Sequence, residues 1–173
     1  ARVAPLLAIL EHLTATIRQF DRQLARLATT RYPVTAVLRQ IPGVGPLTAL
    51  TYVLTLEDPT RFRKSRMVGA YLGLRPKRRE SGAQRPELST TKAGDVFLRR
   101  HLVTAAQYIL GPFGPDTDLR RWGLALAARG GRAAKKRTVV AVARKLAVLL
   151  HRLWVTGEVY EPLGYQARAA RVA

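Results

Sequence analysis

The sequence contains no cysteine. That excludes disulfide staples and thiolate zinc sites, and it fits a reducing compartment. No stretch of 18 apolar residues occurs either; the longest apolar-rich tract, Val139 to Leu150, is interrupted by Arg144 and Lys145. Nothing is therefore predicted to span a membrane. Acidic residues are scarce, 11 Asp and Glu against 30 Lys and Arg. A two-metal nuclease needs several carboxylates converging on ions about 4 Å apart, and no three of the acidic positions suggest such a cage, so no metal site is expected in this chain. The three histidines, His12, His101 and His151, have neither metal-ligand spacing nor a glutamate partner, and each is expected to serve as a packing or surface residue. An initiator Met and a signal peptide are also missing, and the chain opens inside a helical pattern, so we expect a piece of a longer protein.

What is present is positive charge on a chain able to fold. Apolar residues make up 47% of the 173, and the net charge is +19. Glycine and proline are scattered, unlike a disordered basic tail. The length allows one compact domain with an added helical element, or two small lobes. A folded chain so charged repels itself and needs a polyanion. Nucleic acid is the leading candidate; an anionic membrane surface and a structural role in a ribonucleoprotein are the rivals.

Leu6, Leu10, Leu13, Ile17, Phe20, Leu24 and Leu27 are spaced 4, 3, 4, 3, 4 and 3 residues apart, a heptad seam that predicts one long helix over residues 1–32, ending before Pro33. So narrow a stripe asks for a partner helix, from a second copy or from chain outside this sequence; packing on the domain core is the alternative. Residues 34–157 read as a helical domain. It begins with a short helix, the turn Ile41-Pro42-Gly43-Val44-Gly45, and a second helix entered at Pro46 and ended by Asp58-Pro59. This unit resembles the helix-hairpin-helix module of DNA repair and recombination proteins. Gly43 and Gly45 let the backbone turn sharply, so that its amides and the helix N-terminus can meet a phosphate. Such a contact positions nucleic acid without reading its sequence. An ordinary helix–helix turn is the bland alternative.

A basic connector follows, Arg61, Arg63, Lys64 and Arg66, with Ser65 placed to cap a helix holding Met67 to Leu72. Residues 73–91 read as irregular or as a small hairpin, a length at which loops tend to be functional or disordered. Ser81 sits there after Arg75, Lys77, Arg78 and Arg79, with Gly82 leaving its approach open. Arginines beside a hydroxyl can hold the non-bridging oxygens of a phosphodiester, and serine can attack phosphorus; a solvated basic loop with an incidental serine accounts for the same residues, and Ser65 and Ser89 are as nucleophilic in principle. Helices are predicted from about Asp95 to Leu110, from Asp116 to Ala128, and from about Ala134 to Thr156. Residues 119–157 carry ten Lys or Arg, among them Lys135, Lys136 and Arg137, and no Asp or Glu, a second electrostatic footprint. Residues 158–173 are expected to be a frayed tail. The fold class is mostly α.

Three segments, IPGVGPLTA, FRKSRMVGAYLGLRPKRRESG and TKAGDVFLRRHLVTAA, together resemble the C-terminal domain of a bacterial insertion-sequence transposase family, strongly from Leu38 to Ala106. Members of that family carry an N-terminal RuvC-like domain with four acidic residues, a coiled-coil linker and this domain, are similar to site-specific recombinases, and in some cases are guided by a structured bridge RNA. The resemblance implies that Ser81 is the catalytic serine of the pattern GLxPxxxxSG, and that Lys92 and Arg99, in the segment of Gly94 and Leu98, make phosphate or fold-supporting contacts. It implies DNA as partner, a structured guide RNA, homo-oligomerisation through the heptad helix, a bacterial cytoplasmic location, no cofactor in this chain, and Mg2+ in a RuvC-like domain that this sequence lacks. Binding of DNA or RNA without recombination is then the expectation for the 173 residues alone.

Overall fold

The computed structural model describes residues 3–77, 89–131 and 133–164. Among these, regular structure is helical apart from one isolated antiparallel bridge between Pro76 and Thr90. The helices are α1 (Ala4–Arg31), α2 (Thr35–Leu38), α3 (Pro46–Leu56), α4 (Arg66–Tyr71), α5 (Val96–Leu110), α6 (Asp118–Ala128) and α7 (Ala134–Thr156), with a single 3-10 turn at Pro59–Arg61 before α4.

The core forms around α7, which packs against α4, α5 and α6. Its Val142, Ala143, Leu146, Ala147, Leu150 and Leu153 are buried and recur at helical spacing, the stripe expected of a helix with one apolar face. They meet Leu98, Leu102, Ala105, Ala106 and Ile109 of α5, and Tyr52, Val53 and Leu56 of α3. Small residues set the closest approaches. A Cβ on Gly123 of α6 would lie 2.6 Å from Leu110 Cδ2 and 2.8 Å from Val142 Cγ2, and one on Gly69 of α4 would lie 2.8 Å from Arg144 Cγ. Tyr52 donates its hydroxyl to the Ala147 carbonyl at 2.7 Å, and burial pushes its phenol well above the usual tyrosine range.

Helix α1 is a single helix that ends at Arg31, just before Pro33, as the heptad pattern predicts. Only its last turns join the domain, through buried Ala28 and through Thr35, whose hydroxyl donates to the Ala28 and Tyr32 carbonyls. Leu6, Leu10, Leu13, Ile17 and Phe20 are all at least half exposed. The seam is thus not packed on the domain core.

Two local expectations are corrected. Ser65 stands at the N-cap of α4 but caps no amide there; its hydroxyl pairs with His151 Nδ1 at 3.0 Å, while His151 Nε2 meets the Pro59 carbonyl at 2.9 Å. A carbonyl only accepts, so Nε2 carries a hydrogen. His151 is buried, an interior packing residue as expected for the histidines, and it ties α7 to the connector. The tail is not frayed over residues 158–164. The Tyr160 amide donates to Gln40 Oε1 at 2.7 Å, the Asp118 amide donates to the Pro162 carbonyl at 2.7 Å, and Tyr160 packs against the core.

Candidate nucleic-acid interface

The turn between α2 and α3 rests on the C-terminal half of α5. Gly43 has φ +87°, and a Cβ there would lie 3.0 Å from Tyr108 Cδ1 and 3.2 Å from the Ala105 carbonyl. Only glycine suits both the backbone and the space. Gly45 differs. Its φ is −82°, it is exposed, and a Cβ would meet nothing within 4 Å. The fold does not require glycine at 45. Pro46 opens α3 without a side-chain cap, so no capping side chain claims the first amides of the helix. Beside this turn lies an open groove of about 470 Å³, lined by Arg39, Pro42, Gly43, Gly45, Thr48, His101, Thr104 and Tyr108 among others. His101 Nε2 is a buried nitrogen with no hydrogen-bond partner, a condition that costs on the order of 1–3 kcal/mol unless something binds it.

At the other end of α5 the chain builds a clamp around the loop that carries Ser81. Lys77 donates its amide to the Ser89 carbonyl at 2.9 Å, Thr91 donates to the Arg75 carbonyl at 2.9 Å, and Lys92 to the Gly73 carbonyl at 3.0 Å. The two arms are therefore paired antiparallel at their base. Gly73 (φ +67°) and Gly94 (φ +75°) interlock there: a Cβ on the first would fall 2.2 Å from the Ala93 carbonyl, and on the second 2.2 Å from the Tyr71 carbonyl. Arg99 Nη1 donates to the Leu72 carbonyl at 3.1 Å and to the Ala93 carbonyl at 2.8 Å, so of the two roles open to Arg99 it fills the fold-supporting one. Asp95 caps α5 by accepting from the Leu98 amide at 2.6 Å. Lys92 adopts φ +56°, a left-handed conformation uncommon for a residue with a side chain, and is exposed together with Arg75 and Lys77. Ser81, Arg78 and Arg79 lie outside the described residues.

Arg63, Lys64 and Arg66 are exposed at the start of α4, and Arg75, Lys77 and Lys92 are exposed beyond its end. Arg61 is partly committed: it donates to the Leu56 carbonyl at 3.3 Å, pairs with Glu57 at 3.6 Å and lies over the Tyr71 ring. In the 119–157 tract several charges are engaged internally. Arg120 donates to the Ile109 and Gly111 carbonyls. Arg121 forks onto Asp116, whose carboxyl this hydrogen bonding holds below its usual pKa. Lys145 sits 4.0 Å over the Trp122 ring, and burial lowers its pKa. Arg152 pairs with Glu158 at 3.0 Å. Arg129, Lys135, Lys136 and Arg137 are exposed around the α6–α7 turn.

Among the described residues no group of three His, Asp or Glu could hold a metal ion, and no helix is long and apolar enough to cross a membrane. No step through a metal is assigned to the described residues.

Known proteins resemble this chain along most of its length. It is 36% identical over 124 residues to a transposase for insertion sequence element IS1111A of Coxiella burnetii, covering 71% of this chain. It is 31% identical over 160 residues, 91% of this chain, to the putative transposase y4pF/y4sB of Sinorhizobium fredii. It is 25% identical over 141 residues, 79% of this chain, to the pilin gene-inverting protein of Moraxella lacunata. The chain spans 33%, 40% and 42% of the lengths of these three relatives. The segment that builds the hairpin, the connector, the loop clamp and α5 matches the model of the Transposase IS116/IS110/IS902 family over residues 35–118, and the chain therefore carries a domain of that family.

Proposed function

We propose that this chain is the DNA-binding, nucleophile-bearing part of a transposase or recombinase, with Ser81 as the attacking residue. The observation that carries this reading is the clamp at the loop base. Paired arms, two interlocked glycines and the Arg99 hydrogen bonds fix the ends of a loop that would otherwise have no reason to be held, and they set Arg75, Lys77 and Lys92 on either side of the segment containing Ser81. Rigid support is what a nucleophile needs if it is to meet phosphorus in line. In the step itself the Ser81 oxygen bonds to phosphorus, the bond from phosphorus to one deoxyribose oxygen breaks, and the serine proton ends on the departing hydroxyl. The neighbouring cations hold the non-bridging oxygens as charge builds on them.

Backbone binding is the means of positioning. The helix-hairpin-helix reading puts a phosphate at Gly45 and the first turn of α3, in the groove that His101 also lines. The clusters beside α4 and at the α6–α7 turn add further phosphate contacts, to DNA and to a structured guide RNA. The exposed seam of α1 joins two copies as a coiled coil. A RuvC-like domain elsewhere in the protein supplies Mg2+, so these 173 residues alone bind DNA and do not recombine it.

The test is covalent trapping in the protein with its remaining domain and guide present. We expect a protein–DNA adduct that is absent from Ser81→Ala and that maps to the Ser81 peptide. An adduct of undiminished yield in Ser81→Ala overturns the nucleophile assignment. The open groove at Gly45 favours a second reading, a non-catalytic helix-hairpin-helix module for DNA or RNA, and that is the reading left standing if binding persists and no adduct forms in the wild type.

A further inference from the structure

The loop Gly111-Pro112-Phe113-Gly114-Pro115 joins α5 to α6 and is unusual in how it holds its one large side chain. Phe113 is 85% exposed, the highest value among the exposed large apolar residues. Yet the loop around it is built rigidly. The Gly111 amide donates to the Tyr108 carbonyl and the Gly114 amide to the Gly111 carbonyl. Arg120 grips the Ile109 and Gly111 carbonyls. Gly114 is pressed so close that a Cβ would fall 2.4 Å from the Ile109 carbonyl. Pro112 and Pro115 restrict the backbone on either side. A phenyl ring left in water forgoes the stabilisation of burial, and these hydrogen bonds and close contacts hold the backbone that presents it.

The surroundings identify what it meets. Tyr108 and Ile109 are gripped from one side by Gly43 of the hairpin turn and from the other by Gly114, and Pro42 and Pro115 line one small crevice with Ile41 and Leu119. The loop of Phe113 thus shares, through Pro115, a crevice with Pro42 of the hairpin turn, and Pro42 and Tyr108 also line the groove of Arg39, Gly45 and His101. The nearest carboxylate in sequence, Asp116, is paired with Arg121. An exposed aromatic next to a site for the backbone of a polyanion fits a base.

We infer that Phe113 stacks against a DNA base, entering a base step as a wedge while the hairpin turn holds the adjoining phosphate. The inference rests on the DNA-backbone reading of that turn. It separates two roles: the turn supplies salt-dependent, sequence-blind binding, and Phe113 supplies salt-independent stacking that opens the step.

The experiment titrates duplex DNA bearing a single 2-aminopurine with the 173-residue chain, with Phe113→Ala and with Phe113→Trp. Binding of the wild type is expected to raise 2-aminopurine fluorescence as the base unstacks. Phe113→Ala should abolish the rise and weaken binding by roughly tenfold, within the range known for aromatic stacking on bases, with an unchanged slope of log K against log salt and an unchanged Tm. Phe113→Trp should keep both signals. If Phe113→Ala matches the wild type in affinity and fluorescence while salt dependence is steep, the wedge is wrong and the backbone reading stands. If Phe113→Ala lowers self-association in sedimentation without touching DNA binding, the residue is a protein contact and the wedge is again wrong. If the wild type binds no DNA at all, the backbone reading falls and takes the wedge with it.

Discussion

Two glycines in one five-residue turn have different jobs, and the structure separates them. Gly43 is required by φ +87° and by Tyr108 at 3.0 Å from a Cβ; Gly45 is required by neither. A Gly43 substitution therefore mixes folding with binding. Gly45→Val is the cleaner probe: Gly45 is the N-cap of α3, so we expect a loss of about 1 kcal/mol, read as a small drop in Tm, together with weaker binding to DNA of every sequence, measured by fluorescence anisotropy. Equal affinity in Gly45→Val would remove the phosphate from the turn. Gly73 is the opposite case. With φ +67° and a backbone carbonyl 2.2 Å from any Cβ, Gly73→Ala should cost about 3 kcal/mol, combining left-handed strain with a contact that cannot relax, and thermal melting reads it directly. From the sequence both kinds of glycine look alike. Spacing announces a turn, whereas the surface that a missing Cβ faces belongs to helices far along the chain.

The long amphipathic elements were the legible part of the fold. Helix α7 runs Ala134–Thr156, as its apolar period predicts, and Gly157 in the left-handed region stops it. Helices α5 and α6 begin within two residues of expectation, though Thr117, which caps α6 by accepting from the Arg120 amide, carries no mark that sets it apart from Asp116. What the sequence hid depends on distant partners: Ser65 turned to His151 across 86 positions instead of capping α4, and residues 158–164 folded back because Gln40 and Asp118 offer hydrogen bonds there. Ser81 was legible only through resemblance, because a hydroxyl among cations looks the same in a catalytic loop and in a solvated one. Helix α1 poses the sharpest question at this scale. Five seam residues half exposed or more, at about 1.5–3 kcal/mol for each side chain fully buried, offer on the order of 10 kcal/mol to a partner helix, comparable to the roughly 4–15 kcal/mol cost of association. We expect sedimentation equilibrium to show a concentration-dependent oligomer that Leu13→Asp with Ile17→Asp converts to monomer, while the Tm of the domain, which touches α1 only at its last turns, changes little. A wild type that stays monomeric at all concentrations would leave the seam to another chain.

At the scale of the whole molecule the question is whether +19 acts as a diffuse field or through placed contacts. Composition reads the 119–157 tract as one footprint, and the structure divides it: Arg121 and Arg152 are neutralised by Asp116 and Glu158, whereas Lys135 and Lys136 are exposed near the start of α7. Sixteen residues of α7 separate Lys135 from His151, about 24 Å of helix, so the α6–α7 turn and the α4 connector, which His151 meets at Ser65 and Pro59, lie well apart. The two descriptions predict different salt titrations. Lys135→Gln with Lys136→Gln and Arg121→Gln with Arg152→Gln each lower the net charge by two. A diffuse field would respond equally to both pairs. Placed contacts would not: the lysine pair should lower the slope of log K against log salt by about 1.8, since each lost contact to B-DNA releases about 0.9 fewer counterions, and the arginine pair should leave the slope unchanged, because those guanidinium groups are already spent on carboxylates. Equal slopes for the two pairs would return the charge to the role of a general field and leave α7 without a DNA contact.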